Sequence, residues 1–288
     1  MMNLDQANAL RQRMNGEELD KAKTIAVISG KGGVGKSNIT LNFALSLIKQ
    51  EKSVLVVDLD IGMGNIDIML GLQAQHSIVD MYEQQLEIDQ IIERTEQGLA
   101  YIAAGSGLSQ IFHMDEAKFS YFLDQFESLM RDYDYIFFDM GAGATKDSLF
   151  YILAADECFV VTTPEPTAMM DAYAMIKHVH LRNPSLPFFV MMNRAETIKE
   201  GKKAMQRIEK VVNQFLNKKI IPLGILTYDK LVSRAVIRQT PFIELNPYAD
   251  VSKQLKSIVD QYLAGDINLN KQKGQTFISK LKSFIKER

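Results

Sequence analysis

Uninterrupted apolar runs rich in Val, Ile and Phe recur along the chain at 24–29, 54–58, 99–103, 135–139, 158–162, 188–192 and 220–226. Runs that do not alternate suit strands buried on both faces, as in a parallel sheet. Between them the apolar positions return at helical spacing, over 36–50, 116–132, 167–181, 200–217 and 249–263, so strand and helix alternate. That order predicts an α/β fold: a mainly parallel, twisted sheet with helices on both faces and its ligand at the carboxyl ends of the strands. One domain, 21–264, holds all of these elements. Outside it lie an arm, 1–20, a polar connector, 265–274, with Gly265, Asn268, Asn270 and Gly274, and a last segment, 275–288.

In the last segment Phe277, Ile278, Leu281, Phe284 and Ile285 fall on one helical stripe, with Lys280 and Lys282 mostly on the other side. Such a helix fits the surface of an anionic membrane. A final helix packed on the body has the same period, so the pattern leaves both readings open. Charge adds to the asymmetry. Residues 271–288 hold six cations against Glu287, a net +5, and with the whole chain at −2 the remainder carries −7. An acidic body with a basic tail points to a partner surface for the tail.

Composition removes several classes. Hydrophobic residues at 47% and charged residues at 24% are ordinary globular usage, which excludes disordered and collagen-like chains. Cys158 is the only cysteine, which excludes an internal disulfide and a four-thiolate cluster within one chain. The first residues carry no basic-then-apolar run, and no stretch reaches 18 apolar residues, so a cytoplasmic chain without a spanning helix is expected.

The strongest chemical signal is Gly30-Lys31-Gly32-Gly33-Val34-Gly35-Lys36-Ser37, which fits G-x-x-x-x-G-K-[ST] between the run at 24–29 and the helix opening at Lys36. Glycines let backbone N–H groups, from Gly30 through Ser37 and Asn38, turn toward phosphate oxygens at the positive end of a helix. Lys36 is expected to reach the β- and γ-phosphates and the Ser37 hydroxyl to ligate Mg²⁺. Mg²⁺ takes oxygen ligands and waters, so Asp58, Asp60 and Asp139, each at the end of an apolar run, are the candidate acidic partners.

The extra lysine, Lys31, in Lys-Gly-Gly-Val-Gly-Lys-Ser resembles the deviant phosphate loop of the MinD/ParA ATPase family. The resemblance implies that Lys31 crosses a nucleotide-sandwich homodimer to the partner's phosphates, supplying positive charge as an arginine finger does. It also reads Asp58 to Asp67 as a first switch, with Asp60 orienting the attacking water and Asp58 in the Mg²⁺ water shell. The run from Tyr135 to Gly143 looks like the Walker B strand and second switch, Asp139 holding Mg²⁺ through water. Asn193-Arg194, similar to the family's adenine-contacting pair, implies ATP and ADP rather than guanine nucleotides as ligands.

Asp5-Gln6-Ala7-Asn8-Ala9-Leu10-Arg11 is similar to the D-Q-A-x-x-L-R motif of the flagellar-number branch, FlhG (also FleN or YlxH), and so is Thr163-Pro164-Glu165-Pro166-Thr167 followed by Asp171-Ala172-Tyr173. That resemblance implies that Asp5, Gln6, Leu10 and Arg11 engage the signal-recognition-type GTPase FlhF. The protein would hydrolyse ATP slowly, dimerise with ATP, lie peripherally on the inner face of the cytoplasmic membrane and set flagellar number or placement. The basic helix around 202–219 is an ordinary amphipathic surface or a dock for a flagellar switch-complex protein. Two rivals stay open: a MinD-type septum ATPase and a ParA-type DNA-partitioning ATPase. The acidic body argues against the second, so no nucleic acid is expected.

Overall fold

The computed structural model describes residues 22–61, 64–105, 116–143, 146–265 and 276–286. The apolar runs form β1 (Lys23–Ile28), β2 (Val54–Leu59), β4 (Ala100–Ile102), β5 (Tyr135–Met140), β6 (Glu157–Thr162), β7 (Phe188–Ala195) and β8 (Ile221–Thr227). Between them lie α1 (Lys36–Ile48), α4 (Glu116–Asp132), α6 (Pro166–His180), α7 (Ile198–Leu216) and α10 (Asp250–Leu263). All the strands run parallel in the order β3-β4-β2-β5-β1-β6-β7-β8, except the edge strand β3 (Ile92–Arg94), which is antiparallel to β4. β1 sits between β5 and β6, and the chain winds outward from it in both directions. That is the switch point at which a crevice opens above the carboxyl ends of the strands.

Successive residues of one strand serve opposite cores. Phe138 of β5 lies in the core beneath α4, and Phe137 in the core beneath α1, where its ring is 5.9 Å from Phe43. This two-sided burial explains why the strands read as continuous apolar runs. At the opposite end of the sheet from the crevice, buried Glu157 accepts hydrogen bonds from Lys23 Nζ at 2.9 Å and Tyr262 Oη at 2.6 Å.

Several short elements have no counterpart in the apolar pattern: α2 (Ile66–Leu70), α3 (Ile78–Gln84), α5 (Lys146–Ala154), α8 (Lys230–Ile237), α9 (Phe242–Leu245) and β3. Each is too short to show a period, and local hydrogen bonds start some of them. Ser77 and Asp80 form a capping box on α3, and Asp229 accepts from the Leu231 N–H to open α8.

The final helix α11 (Phe277–Lys286) lies on the body, against α5 and α4. Phe277, Ile278 and Leu281 are buried, and the Phe277 ring stacks on Phe138 at 5.1 Å and 17°. Lys280 Nζ reaches Asp156 at 3.5 Å, and Lys282 is exposed. Of the two readings of the tail, this structure shows the packed helix, because the stripe that suits lipid also completes the core under α5. The side chains of Phe284 and Ile285, the connector at 266–275 and the arm residues Asp5, Gln6, Leu10 and Arg11 lie outside the described residues. No described helix is long and apolar enough to cross a membrane.

Candidate functional site

The loop from Gly30 to Gly35 joins β1 to α1 at the switch point. Gly35 stands at the N-cap of α1 with φ +94°, a left-handed conformation that favours glycine, and a Cβ there would sit 2.5 Å from Asn193 Nδ2. No side chain caps α1, so its first N–H groups are left to serve a ligand. Asn193, at the end of β7, donates its amide to the Val34 carbonyl at 2.8 Å and so ties the loop to the sheet.

Lys36 is buried beneath the loop. Its ammonium lies 2.8 Å from Asp139 Oδ1 and donates to Ser37 Oγ at 3.2 Å. Thr40, one turn further along α1, donates to the same Asp139 oxygen at 3.0 Å. Asp139 Oδ2 is buried and has no hydrogen-bond partner among the described residues. An unpaired buried carboxylate oxygen beside a hydroxyl and a lysine fits a site that completes itself with a hydrated cation.

Asp58 faces Asp139 directly across the β2–β5 pair. Its Oδ1 accepts from the Asp60 N–H at 3.0 Å, and its Oδ2 from Asn65 and Ile66 at 3.0 and 3.3 Å. Asp58 therefore anchors the segment that follows it. Burial, and then the neighbouring Asp139 charge, push its carboxyl up to about 7, against the pull of those backbone donors and of Lys36. Asp60 is raised too, by burial first and more weakly by Asp139, with Lys36 opposing. Three carboxylates around one ammonium form a cluster short of positive charge, as a Mg²⁺–nucleotide site must be before it is filled. The described residues include no cluster of three or more His, Cys, Asp or Glu placed to hold a metal. Phosphate oxygens, Ser37 and water would then provide most of its shell.

Lys31 is exposed, and its ammonium lies 3.4 Å from both Glu165 Oε2 and Thr167 Oγ1 at the start of α6. Arg194 is exposed with φ +56°. Asn38 is half-buried on α1, where its carbonyl accepts from Asn42 Nδ2 at 2.8 Å. Lys36, Ser37, Asp58 and Asp139 thus gather at one point, with Asp60 at its edge, and Asn193 lies on the loop. Thr40 joins them with no sequence signal beyond its place one helical turn after Lys36.

A ParA family profile, described as NUBPL iron-transfer P-loop NTPase, matches residues 20–263. The chain belongs to the ParA family of P-loop NTPases. Among its relatives are the antiactivator FleN of Pseudomonas aeruginosa, 30% identical over 83% of this chain and 85% of that protein, and the flagellum site-determining protein YlxH of Helicobacter pylori, 32% identical over 91% and 90%. The fold matches the septum site-determining protein MinD complexed with Mg-ADP from Pyrococcus horikoshii, with a TM-score of 0.71 at 21% identity over 85% of this chain and 98% of that one. This member of the ParA/MinD class is an ATPase. The iron transfer in the profile's description does not carry over through cysteine: Cys158 is the only one, it is buried in β6, and burial raises its thiol far above the ordinary range.

Proposed function

We propose that the chain is an ATP-gated dimerisation switch that hydrolyses ATP slowly, attaches to the cytoplasmic membrane through α11 and regulates flagellar number or placement. The site fits Mg²⁺–ATP. The uncapped N-terminus of α1 and Lys36 take the β- and γ-phosphates, Ser37 and the free oxygen of Asp139 take the cation, and Asp58 holds its water shell. Mg²⁺ supplies charge neutralisation on the phosphate oxygens. Asp60 accepts a hydrogen bond from the water that attacks the γ-phosphorus as the bond to ADP breaks. Lys31 of a second copy neutralises charge on the transferring group. The Asn193 amide nitrogen must face the Val34 carbonyl, which orients its oxygen away as an acceptor and favours the exocyclic amine of adenine over the carbonyl of guanine.

The observation that carries the switch is one strand. Asp139, next to last in β5, pairs with the phosphate-loop lysine Lys36, and the residue before it, Phe138, bears the stacked ring of Phe277 from the tail. A change in the second switch, next along the chain, acts on α5, against which α11 packs. The flagellar assignment is supported by FleN and YlxH among the relatives.

Sizing of the wild type and of Asp60→Ala with ATP, with and without anionic liposomes, tests this. Asp60→Ala should accumulate as an ATP-bound dimer that pellets with lipid, because hydrolysis no longer resets it; a monomer under every condition overturns the proposal. The arm is tested apart from the body: a peptide of residues 1–20 should raise the GTPase rate of FlhF, and no stimulation turns the reading toward septum placement.

A further inference from the structure

We infer that Glu165, helped by Thr167, holds Lys31 within its own subunit, and that this contact competes with the reach of Lys31 into a second copy. The inference rests on the trans role proposed above for Lys31. The Lys31 ammonium is 3.4 Å from Glu165 Oε2 and 3.4 Å from Thr167 Oγ1, so carboxylate and hydroxyl take it together. Glu165 is free for this work. It occupies the N-cap position of α6 yet makes no side-chain capping bond, and Pro166 behind it has no N–H to satisfy.

The contact also has a fixed base. A Cβ on Gly30 would overlap the Asp171 carbonyl, so the start of the phosphate loop is pressed onto α6, nearly two turns beyond Glu165. The loop and the helix start therefore move as one body, with Lys31 at their junction. The same corner has unused polar capacity, since the buried hydroxyls of Thr162 and Thr163 make no hydrogen bond among the described residues. One ammonium cannot serve Glu165 in cis and a phosphate in trans. Each copy must release its lysine before the pair closes, and Glu165 is a positioning residue whose effect is to raise the concentration at which dimers form.

The size of the effect follows from exposure. Lys31 and Glu165 keep side-chain exposures of 45% and 66%, so the contact is worth about five-fold at most for each lysine. With two lysines per dimer, the combined effect on dimerisation is up to about 25-fold.

The test is the ATP- and Mg²⁺-dependent dimerisation midpoint of the full chain, by analytical ultracentrifugation, for wild type, Glu165→Gln, Lys31→Ala and the double variant. Glu165→Gln should dimerise at a several-fold lower concentration, and should have no effect in the Lys31→Ala background. If Lys31→Ala weakens dimerisation while Glu165→Gln leaves it unchanged or weakens it as well, the cis hold is overturned and the carboxylate serves the dimer or nothing. If Lys31→Ala changes neither dimerisation nor hydrolysis, the trans role itself fails, a result distinct from failure of the hold.

Discussion

Lys36→Met should slow ATP hydrolysis by about a hundred- to a thousand-fold, the range for removing one preorganised donor from a developing anion. It should also destabilise the nucleotide-free chain. Among the described residues Lys36 is the only cation paired with Asp139, at 2.8 Å with both side chains buried. Removing one partner of a buried pair costs about 3–5 kcal/mol, because the other charge is left without compensation. At about 2–4 °C per kcal/mol for a chain of this size, the midpoint of thermal unfolding falls by roughly 10 °C.

The loss has a pH signature. Asp58 is raised from 3.8 to about 7 in the folded chain, so the native state binds a proton there more tightly than the unfolded state does. Its contribution to stability is complete below about pH 4 and is lost as pH rises toward about 7. Lys36 opposes that rise, so without it the cluster depends still more on protonation. The deficit of Lys36→Met, read from melting curves, should be smaller near pH 6 than near pH 8. Adding Asp139→Asn should restore stability, since a neutral pair needs no counter-charge, and should leave hydrolysis lost. A Lys36→Met chain as stable as wild type at both pH values would show that the buried pair does not hold the empty site together.

Much of this arrangement is legible in the sequence because it is local. The phosphate loop is contiguous, and its glycines, Lys36 and Ser37 bring their own geometry. Asp58 and Asp139 can be found because each ends an apolar run, and parallel strands in register bring such ends side by side. Other features needed the fold. Thr40 looks like any helix threonine until Asp139 arrives from 99 residues away. Glu165 and Thr167 belong to a recognisable stretch, but only the approach of Gly30 to α6 gives them Lys31. Elements such as α8 and α9 fall below the length at which a period can be counted, and an Asp cap alone does not distinguish a helix from a turn. The tail shows the deepest limit. A period of 3.6 establishes an apolar stripe, and the stripe is the same whether it faces lipid or Phe138.

That ambiguity gives the second large effect. Deleting 275–288 should abolish pelleting with anionic liposomes while leaving nucleotide affinity in place, since among the described residues α11 packs on α4, α5 and Phe138 and not on the phosphate loop. The same deletion should lower the melting temperature, because it strips cover from Phe126 and Phe138, whose rings lie 5.7 and 5.1 Å from Phe277. Burying a large apolar side chain is worth about 1.5–3 kcal/mol in either place, body or bilayer. Phe277, Ile278 and Leu281 are therefore compensated in both states, so their own hydrophobic term cancels, and the uncovering of Phe126 and Phe138 is what leaving the body costs. To that cost is added the exposed Lys280–Asp156 contact at 3.5 Å, worth at most about 1 kcal/mol, and against both stands roughly 1 kcal/mol for each cation brought to an anionic surface. A second-switch movement that shifts α5 over Phe138 would lower the cost of release and so bias the helix toward the membrane. Asp156→Asn keeps an oxygen for its hydrogen bonds from Thr24 and removes only the charge. It should raise pelleting without ATP, and the rise should vanish in the truncated chain. Continued pelleting of that chain would mean that the lipid contact lies elsewhere, leaving α11 as part of the core alone.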